Sequence, residues 1–548
     1  MASTGARSSV IMAAGTLVSR VLGFVKALLI ATAIGAQTTG DIFQLANQLP
    51  NLIYVLVAGG VFNAVLVPQI IKATKNPDGG ADYISRLLSL AVIGLAVLTT
   101  AVVLLARPII TVVSTNWTQD QIDFGVTFAL WCFPQLFFYG LYTVVGQILN
   151  ARGAFGAYMW APALNNVVAI AALLVFIWMY GTNASAGHSM ENWTGGQTFW
   201  LAGMATVGVA AQALILFLPL KRLRLGLGVK LGWRGIGLST AAKIASWTLA
   251  TGIIANLSFL FLTKVASSAT GAREEIVART GEAVAGPALL DYSTMLYQLP
   301  HGVIGLSIAT VLFNRMAYSA GDRDHSGMIA SLSQGLRIAS VATIFCAVAL
   351  IVYAGPVGMM FSGGEPGAGA VMGQLVTVIA LGGPFLTIAF MMGRMFYASE
   401  DARTPLVVQV LSALITIALG ALVLAFAPAQ YVAFYVAALY VFMNVFSTLL
   451  YHRALKRWLG DYDVASIVTT HLRVSLAAML AGVVGYLALQ LMGGASPEGF
   501  PWGGPINGML TALLGLVVMG IVYLGALKLF RVRELSGLMA PIKARFGR

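Results

Sequence analysis

Long apolar runs, punctuated by glycine, proline and short charged clusters, recur from one end of the chain to the other. Each run is long enough to cross a membrane, since about 20 residues of helix span a ~30 Å hydrocarbon layer. Their limits predict helices near 10–34, 41–72, 84–106, 121–150, 158–180, 198–220, 241–267, 286–318, 328–355, 370–399, 405–427, 430–452, 471–492 and 505–530. The fold class predicted is therefore all-α, a polytopic membrane protein with about fourteen transmembrane helices.

The pattern repeats internally. Asp41, Gln48, Leu49 and Pro50 of the second helix recur as Asp291, Gln298, Leu299 and Pro300 of the eighth, at a constant offset of 250 residues. Gly146–Ala151, with Pro162 beyond it, is echoed by Gly393–Ala398, with Pro405 beyond it. A parallel repeat of six helices follows, because an even count starts both copies on the same side. This divides the chain into an N-terminal lobe (1–220), a basic linker (221–240), a C-terminal lobe (241–455), two further helices (471–530) and a basic tail (531–548).

Polar residues inside these helices are ordered. Asp41, Gln44, Gln48 and Asn51 share one helical face, and Asp291, Thr294, Gln298 and His301 repeat the device. Polar stripes avoid lipid, so they either line a water-filled cleft or pair helices in a dry bundle. Pro50 and Pro300 break those two helices midway, as gating hinges or as packing kinks. In the first helix Thr16, Ser19, Gly23 and Lys26 form another stripe, with Arg20 displaced around the helix. Lys26 either meets an anion or snorkels to the interface. Arg20 is read equally as a site residue or as a structural cation. Lys264, late in the seventh helix, is a weaker counterpart of Lys26, and together they would suit a phosphate-bearing anion. Lys26, Arg20, Ser19, Gln44, Gln48, Asn51, Lys264 and Gln298 are thus the candidate substrate-binding residues. Asp41, Asp291, Pro50 and Pro300 are the candidates for coupling or gating.

Composition excludes a soluble protein: of 548 residues 59% are hydrophobic and 9% charged, and mean hydropathy is +0.86, where soluble chains carry roughly a quarter charged residues. The net charge of +13 raises nucleic acid as a partner. The basic residues argue against it, lying in short clusters between apolar spans, such as Lys221, Arg222, Arg224, Lys230 and Arg234. Most of the 32 fall on the N-terminal side of the membrane, against Arg107, Arg273 and Arg279 on the other, so both termini are expected in the cytoplasm. The charged first helix reads as retained, unlike a cleaved signal. Cys132 and Cys346 lie within apolar spans and offer neither a disulfide framework nor a metal-ligand spacing. His188, His301, His325, His452 and His471 are scattered, and no HExxH, GxSxG or P-loop pattern occurs. A transporter is expected rather than an enzyme, with no cofactor or metal. Its drive would be a coupling ion (Na⁺ or H⁺) or the membrane potential, and Asp41 is the first carboxylate expected to couple. His301 reads mainly as a hydrogen-bonded structural residue.

The stretch Ser19-Arg20-Val21-Leu22-Gly23-Phe24-Val25-Lys26, then Gly35-Ala36, Asp41, Leu49-Pro50-Asn51-Leu52 and Pro68, resembles the N-terminal signature of MurJ/MviN flippases. Gln298-Leu299-Pro300, Gly302-Val303-Ile304-Gly305, Phe396-Tyr397-Ala398 and Thr404-Pro405 extend the resemblance over nearly the whole chain. It implies the fold of the MOP exporter superfamily, two six-helix lobes in a V. It also implies a lipid II flippase of the bacterial inner membrane, serving peptidoglycan synthesis. The undecaprenyl-diphosphate-linked precursor would pass from cytoplasmic to periplasmic leaflet by alternating access, its tail in a groove formed by the last two helices. By position, Lys26 stands where the family has a cavity arginine, and Arg20, Asp41 and Ser19 match its other residues. Departures are Tyr54 and Met295 at arginine positions, and Ala27, Gly59 and Gln298 at acidic ones; Lys264 is expected to restore part of the lost charge. Membrane lipids and cell-wall synthesis proteins are the expected partners besides lipid II. The rival readings are a flippase for another polyprenyl-diphosphate glycan, a cation-coupled drug exporter, and a non-transporting cell-wall scaffold.

Overall fold

The computed structural model describes the backbone of residues 2–56, 70, 72–73, 77–232, 238–496 and 498–534, and their side chains except at 2–13, 155, 238–246 and 248. The described residues form helices and loops, with no strand among them. The principal helices are α1 (Ala2–Ile34), α2 (Thr38–Tyr54), α3 (Ala81–Leu104), α4 (Gln119–Ala151), α5 (Gly156–Ala186), α6 (Gly195–Arg222) and α7 (Leu238–Thr280). They continue with α8 (Pro287–Gly321), α9 (His325–Val352), α10 (Pro366–Ala398), α11 (Arg403–Phe426), α12 (Ala429–Leu459), α13 (Val464–Leu491) and α14 (Pro505–Leu529). Among the described residues, 13 are long and apolar enough to cross a membrane, so the protein is a multi-pass membrane protein. The remaining predicted helix, 41–72, is described as α2; most of its continuation, with Gly59 and Pro68, lies outside the described residues, as do Arg234 and residues 535–548 of the basic tail.

Helices suit an apolar solvent because each satisfies its own backbone polar groups. Their hydroxyls do likewise by folding back one turn. Thr32 donates to the Leu28 carbonyl at 2.9 Å, Thr263 to Phe259 at 3.0 Å and Ser293 to Leu289 at 2.8 Å.

Packing divides the chain into two compact units, Met1–Glu274 and Glu275–Arg548. In the first, one apolar cluster gathers Phe43, Phe128, Phe133 and Phe176, and another gathers Ile84, Val145, Ile148 and Leu216. In the second, Met316, Met328, Met391, Met392 and Met395 surround Leu332 and Phe396, thioether chains filling the gaps between helices. Repeat and packing divide the chain at different places, because most of α7 packs with the first unit rather than opening the second. The basic linker is strapped to α3: Gly228 N–H donates to Ser85 Oγ at 3.2 Å and Lys230 Nζ to Asp82 at 2.7 Å. Before α3, the Asp78 carboxylate accepts from the Asp82 and Gly80 N–H groups, which hold its carboxyl below the usual range.

Candidate functional site

Within the first unit a cavity of about 50 Å³ opens among α1, α2, α4, α5 and α6. That is room for a few waters, each needing roughly 10–15 Å³. Lys26 of α1 reaches it, and Asn47, Gln135, Tyr139, Asn165 and Trp200 supply the other polar groups. Tyr139 OH donates to Gln135 Oε1 at 3.3 Å, and Gln135 Nε2 donates to Asn47 Oδ1 at 3.0 Å. Asn165 Nδ2 donates to Gln212 Oε1 at 3.1 Å. These bonds fix the amides in place, so the cavity is a pre-formed polar site. Among the described residues its lining holds one cation and no carboxylate, an arrangement suited to an anion.

Asp41 does not face that cavity. It starts α2, is fully buried, and forms an ion pair of 2.7 Å with Arg273 of α7, itself only 2% exposed. Thr270 Oγ1 donates to the same carboxylate oxygen at 2.9 Å. The loop 113–118 clamps this part of α7. Ser267 Oγ accepts from Thr115 N–H and donates to the Val113 carbonyl, each at 3.1 Å. Trp117 Nε1 donates to the Ser267 carbonyl at 3.0 Å, and Thr115 Oγ1 donates to that of Lys264 at 3.2 Å. At Gly271 a Cβ would lie 2.1 Å from the Asn116 carbonyl oxygen, so only glycine permits the approach. The pair latches α2 to α7, and removing one partner alone would leave the other charge buried and uncompensated, at a cost of about 3–5 kcal/mol.

The predicted stripe on α2 is graded. Asp41 is buried, Gln44 and Gln48 are half-buried and Asn51 is exposed, so this face opens away from the latch. In the second unit Asp291 is half-buried, Thr294 buried, Gln298 exposed and His301 half-buried, its Nδ1 3.2 Å from Thr387 Oγ1. Both prolines precede a wider helical turn: π-type geometry occupies 55–56 beyond Pro50 and His301–Gly305 beyond Pro300. Such turns recur at functional sites in helices. Ser19 ties α1 to α5, its carbonyl accepting from Asn166 Nδ2 at 2.8 Å. Arg20 is half-buried and is not among the residues lining the cavity. Lys264 lies in the first unit, not the second, and is also absent from the lining.

A family model described as lipid II flippase MurJ matches residues 30–499. The chain belongs to the MurJ family. A probable lipid II flippase MurJ of Rhizobium meliloti (strain 1021) is 29% identical over 416 residues, covering 74% of this chain and 72% of the relative. One from Vibrio cholerae is 26% identical over 549 residues and covers 96% of each chain. A solved lipid II flippase MurJ in an inward closed conformation has 18% identity and a TM-score of 0.68, covering 94% of this chain and 99% of its own. A multidrug resistance MATE family transporter of the MOP superfamily, inward-facing, has 12% identity and a TM-score of 0.65, covering 80% and 95%. The fold is therefore shared by MurJ and MATE transporters.

In this MurJ-family chain the residues the sequence missed are Asn47, Gln135, Asn165 and Arg273. Asn47 lies off the Asp41 stripe and faces the cavity with Phe43, one turn away on α2. Gln135 sits singly in an apolar run and Asn165 in an isolated Asn165-Asn166 pair, with no helical-face repeat to mark either. The charge pattern places Arg273 outside the membrane; α7 continues past the predicted end at 267 and carries it to Asp41.

Proposed function

We propose that the protein is a lipid II flippase that moves the undecaprenyl-diphosphate-linked peptidoglycan precursor from the cytoplasmic to the outer leaflet by alternating access. The match to the MurJ family across residues 30–499 carries this reading. The chemistry of the first unit supports it: Lys26 among neutral amides offers a cation to a phosphate oxygen once the cavity, which has room here for only a few waters, widens. A drug exporter taking organic cations would be served by a carboxylate, which this lining does not offer. A scaffold has no use for a polar cavity held by buried amides. A flippase for another polyprenyl-diphosphate glycan shares the anion chemistry and is separated by substrate competition.

In the proposed cycle Lys26 attracts the diphosphate while Gln44, Gln48 and Asn51 accompany the polar headgroup along the graded face of α2. The Asp41–Arg273 latch holds one end of that face closed and separates in another state, so Asp41 couples by exchanging Arg273 for a proton or cation. A ligand drives the change only through different affinities for the two states. The membrane potential adds about 2.3 kcal/mol per charge per 100 mV. The protein works in the bacterial inner membrane with both termini cytoplasmic, a transporter making and breaking no covalent bond, and its basic segments suit anionic lipids and cell-wall synthesis proteins. Reconstituted in liposomes with labelled lipid II, it is expected to speed exposure of headgroups to an impermeant hydrolase. Equal rates with and without protein would overturn the assignment.

A further inference from the structure

The second unit carries an apolar groove of about 440 Å³ walled by α9, α10 and α13, among them Ile344, Val348, Phe385, Ile388, Val468 and His471. The last two helices do not form it together, as no residue of α14 is in its lining. It opens sideways, because Val468 is 48% and the neighbouring wall residue Leu472 60% exposed. Two polar groups lie near it, His471 midway along the α13 wall between Ile467 and Ser475 and Arg337 outside the lining. His471 Nδ1 donates to the Ile467 carbonyl at 2.8 Å, while its Nε2 is buried with no hydrogen-bond partner. On α9, Arg337 lies two turns before Ile344 on the same face. Its Nη1 donates to Ser466 Oγ at 2.8 Å. Its Nε is buried without a hydrogen bond, 3.4 Å from Glu534 Oε1. The nearby Asp463 is occupied by Ser333 Oγ at 2.6 Å.

We propose that this groove binds an anionic membrane phospholipid, with one acyl chain on its apolar wall and the phosphate at Arg337, which reaches Ser466 beside the groove residue Ile467. Charge decides the headgroup: the Arg337 guanidinium offers Nε–H to a phosphate oxygen. Pockets with basic residues at a helix end hold acidic headgroups in this way. Volume decides the chain. The groove is roughly three times the ~150 Å³ cavity that holds benzene, enough for one acyl chain and a fraction of an undecaprenyl tail. Glu534 is the resident acceptor that the phosphate displaces.

The test is native mass spectrometry of the delipidated full-length protein with equimolar phosphatidylglycerol and phosphatidylcholine of identical chains. Phosphatidylglycerol is expected to be retained in preference. Arg337→Gln should weaken it about ten-fold, the scale of one charge-assisted hydrogen bond, and Arg337→Lys should keep most of the preference. Ile388→Trp, which fills the groove, should weaken both lipids, and Glu534→Gln should strengthen phosphatidylglycerol. Phosphatidylglycerol retained by Arg337→Gln and Ile388→Trp as well as by the unaltered protein would overturn the site. So would undecaprenyl phosphate displacing phosphatidylglycerol at lower concentration with the same dependence on both residues, which would give the groove to the transported lipid. Lipid II binding by the same samples is scored separately, so the flippase reading stands or falls on its own.

Discussion

Lys26 and Asp41 sit in adjacent helices yet do different work, because their neighbours differ. Lys26 enters a cavity of amides, whereas Asp41 is fully buried against Arg273 and Thr270. Asp41→Ala or Arg273→Ala alone leaves a buried charge without its partner and is expected to cost about 3–5 kcal/mol, read as a lowered unfolding temperature. Asp41→Asn with Arg273→Met should recover most of that loss; a double variant as unstable as the sum of the singles would show that the two do not act as a pair. The sequence made Lys26 and Asp41 legible because a charge inside an apolar run is conspicuous. It hid Arg273 because Arg273, Glu274 and Glu275 together read as a loop. It hid Asn47 because a lone amide off the main stripe has the spacing of ordinary packing.

Helices were legible from hydropathy alone, since crossing hydrocarbon demands long apolar runs; where a helix packs depends on close approaches that hydropathy does not encode. α7 is the example: spacing placed it at the start of the second lobe, but Ser267, Gly271 and Arg273 bind it to the 113–118 loop and α2. Gly271→Ala pushes a methyl against the Asn116 carbonyl and is expected to open this contact. Amide exchange in 113–118 should then rise well before global unfolding, and exchange equal to that of the unaltered protein would contradict the close approach. At the start of α9, Asp324 accepts from Ser326 Oγ and Gly327 N–H, which holds its carboxyl below the usual range. A depressed folded-state value means the cap's contribution is present at neutral pH and is lost as pH falls through it. Asp324→Asn should therefore flatten the acid-side fall in stability, and an unchanged profile would remove this cap from the acid response.

At the scale of the molecule, the family was legible because its signature is spread along the chain, and the match over residues 30–499 bears it out. The orientation expected from the basic clusters is testable in a Cys132→Ser, Cys346→Ser background. An impermeant maleimide should label Ser189→Cys on intact cells and Arg222→Cys only after permeabilisation; the reverse would invert the topology. The central claim is that a cationic, acid-free cavity serves a diphosphate-linked glycopeptide. Native mass spectrometry of the purified protein with lipid II, a different undecaprenyl-diphosphate glycan and a cationic drug in competition, repeated with Lys26→Ala, tests it most directly. Preferential lipid II binding that weakens about ten-fold in the variant, the scale of one charge-assisted hydrogen bond, is the predicted result. Binding of lipid II no tighter than its competitors, or unaffected by loss of Lys26, would contradict the account.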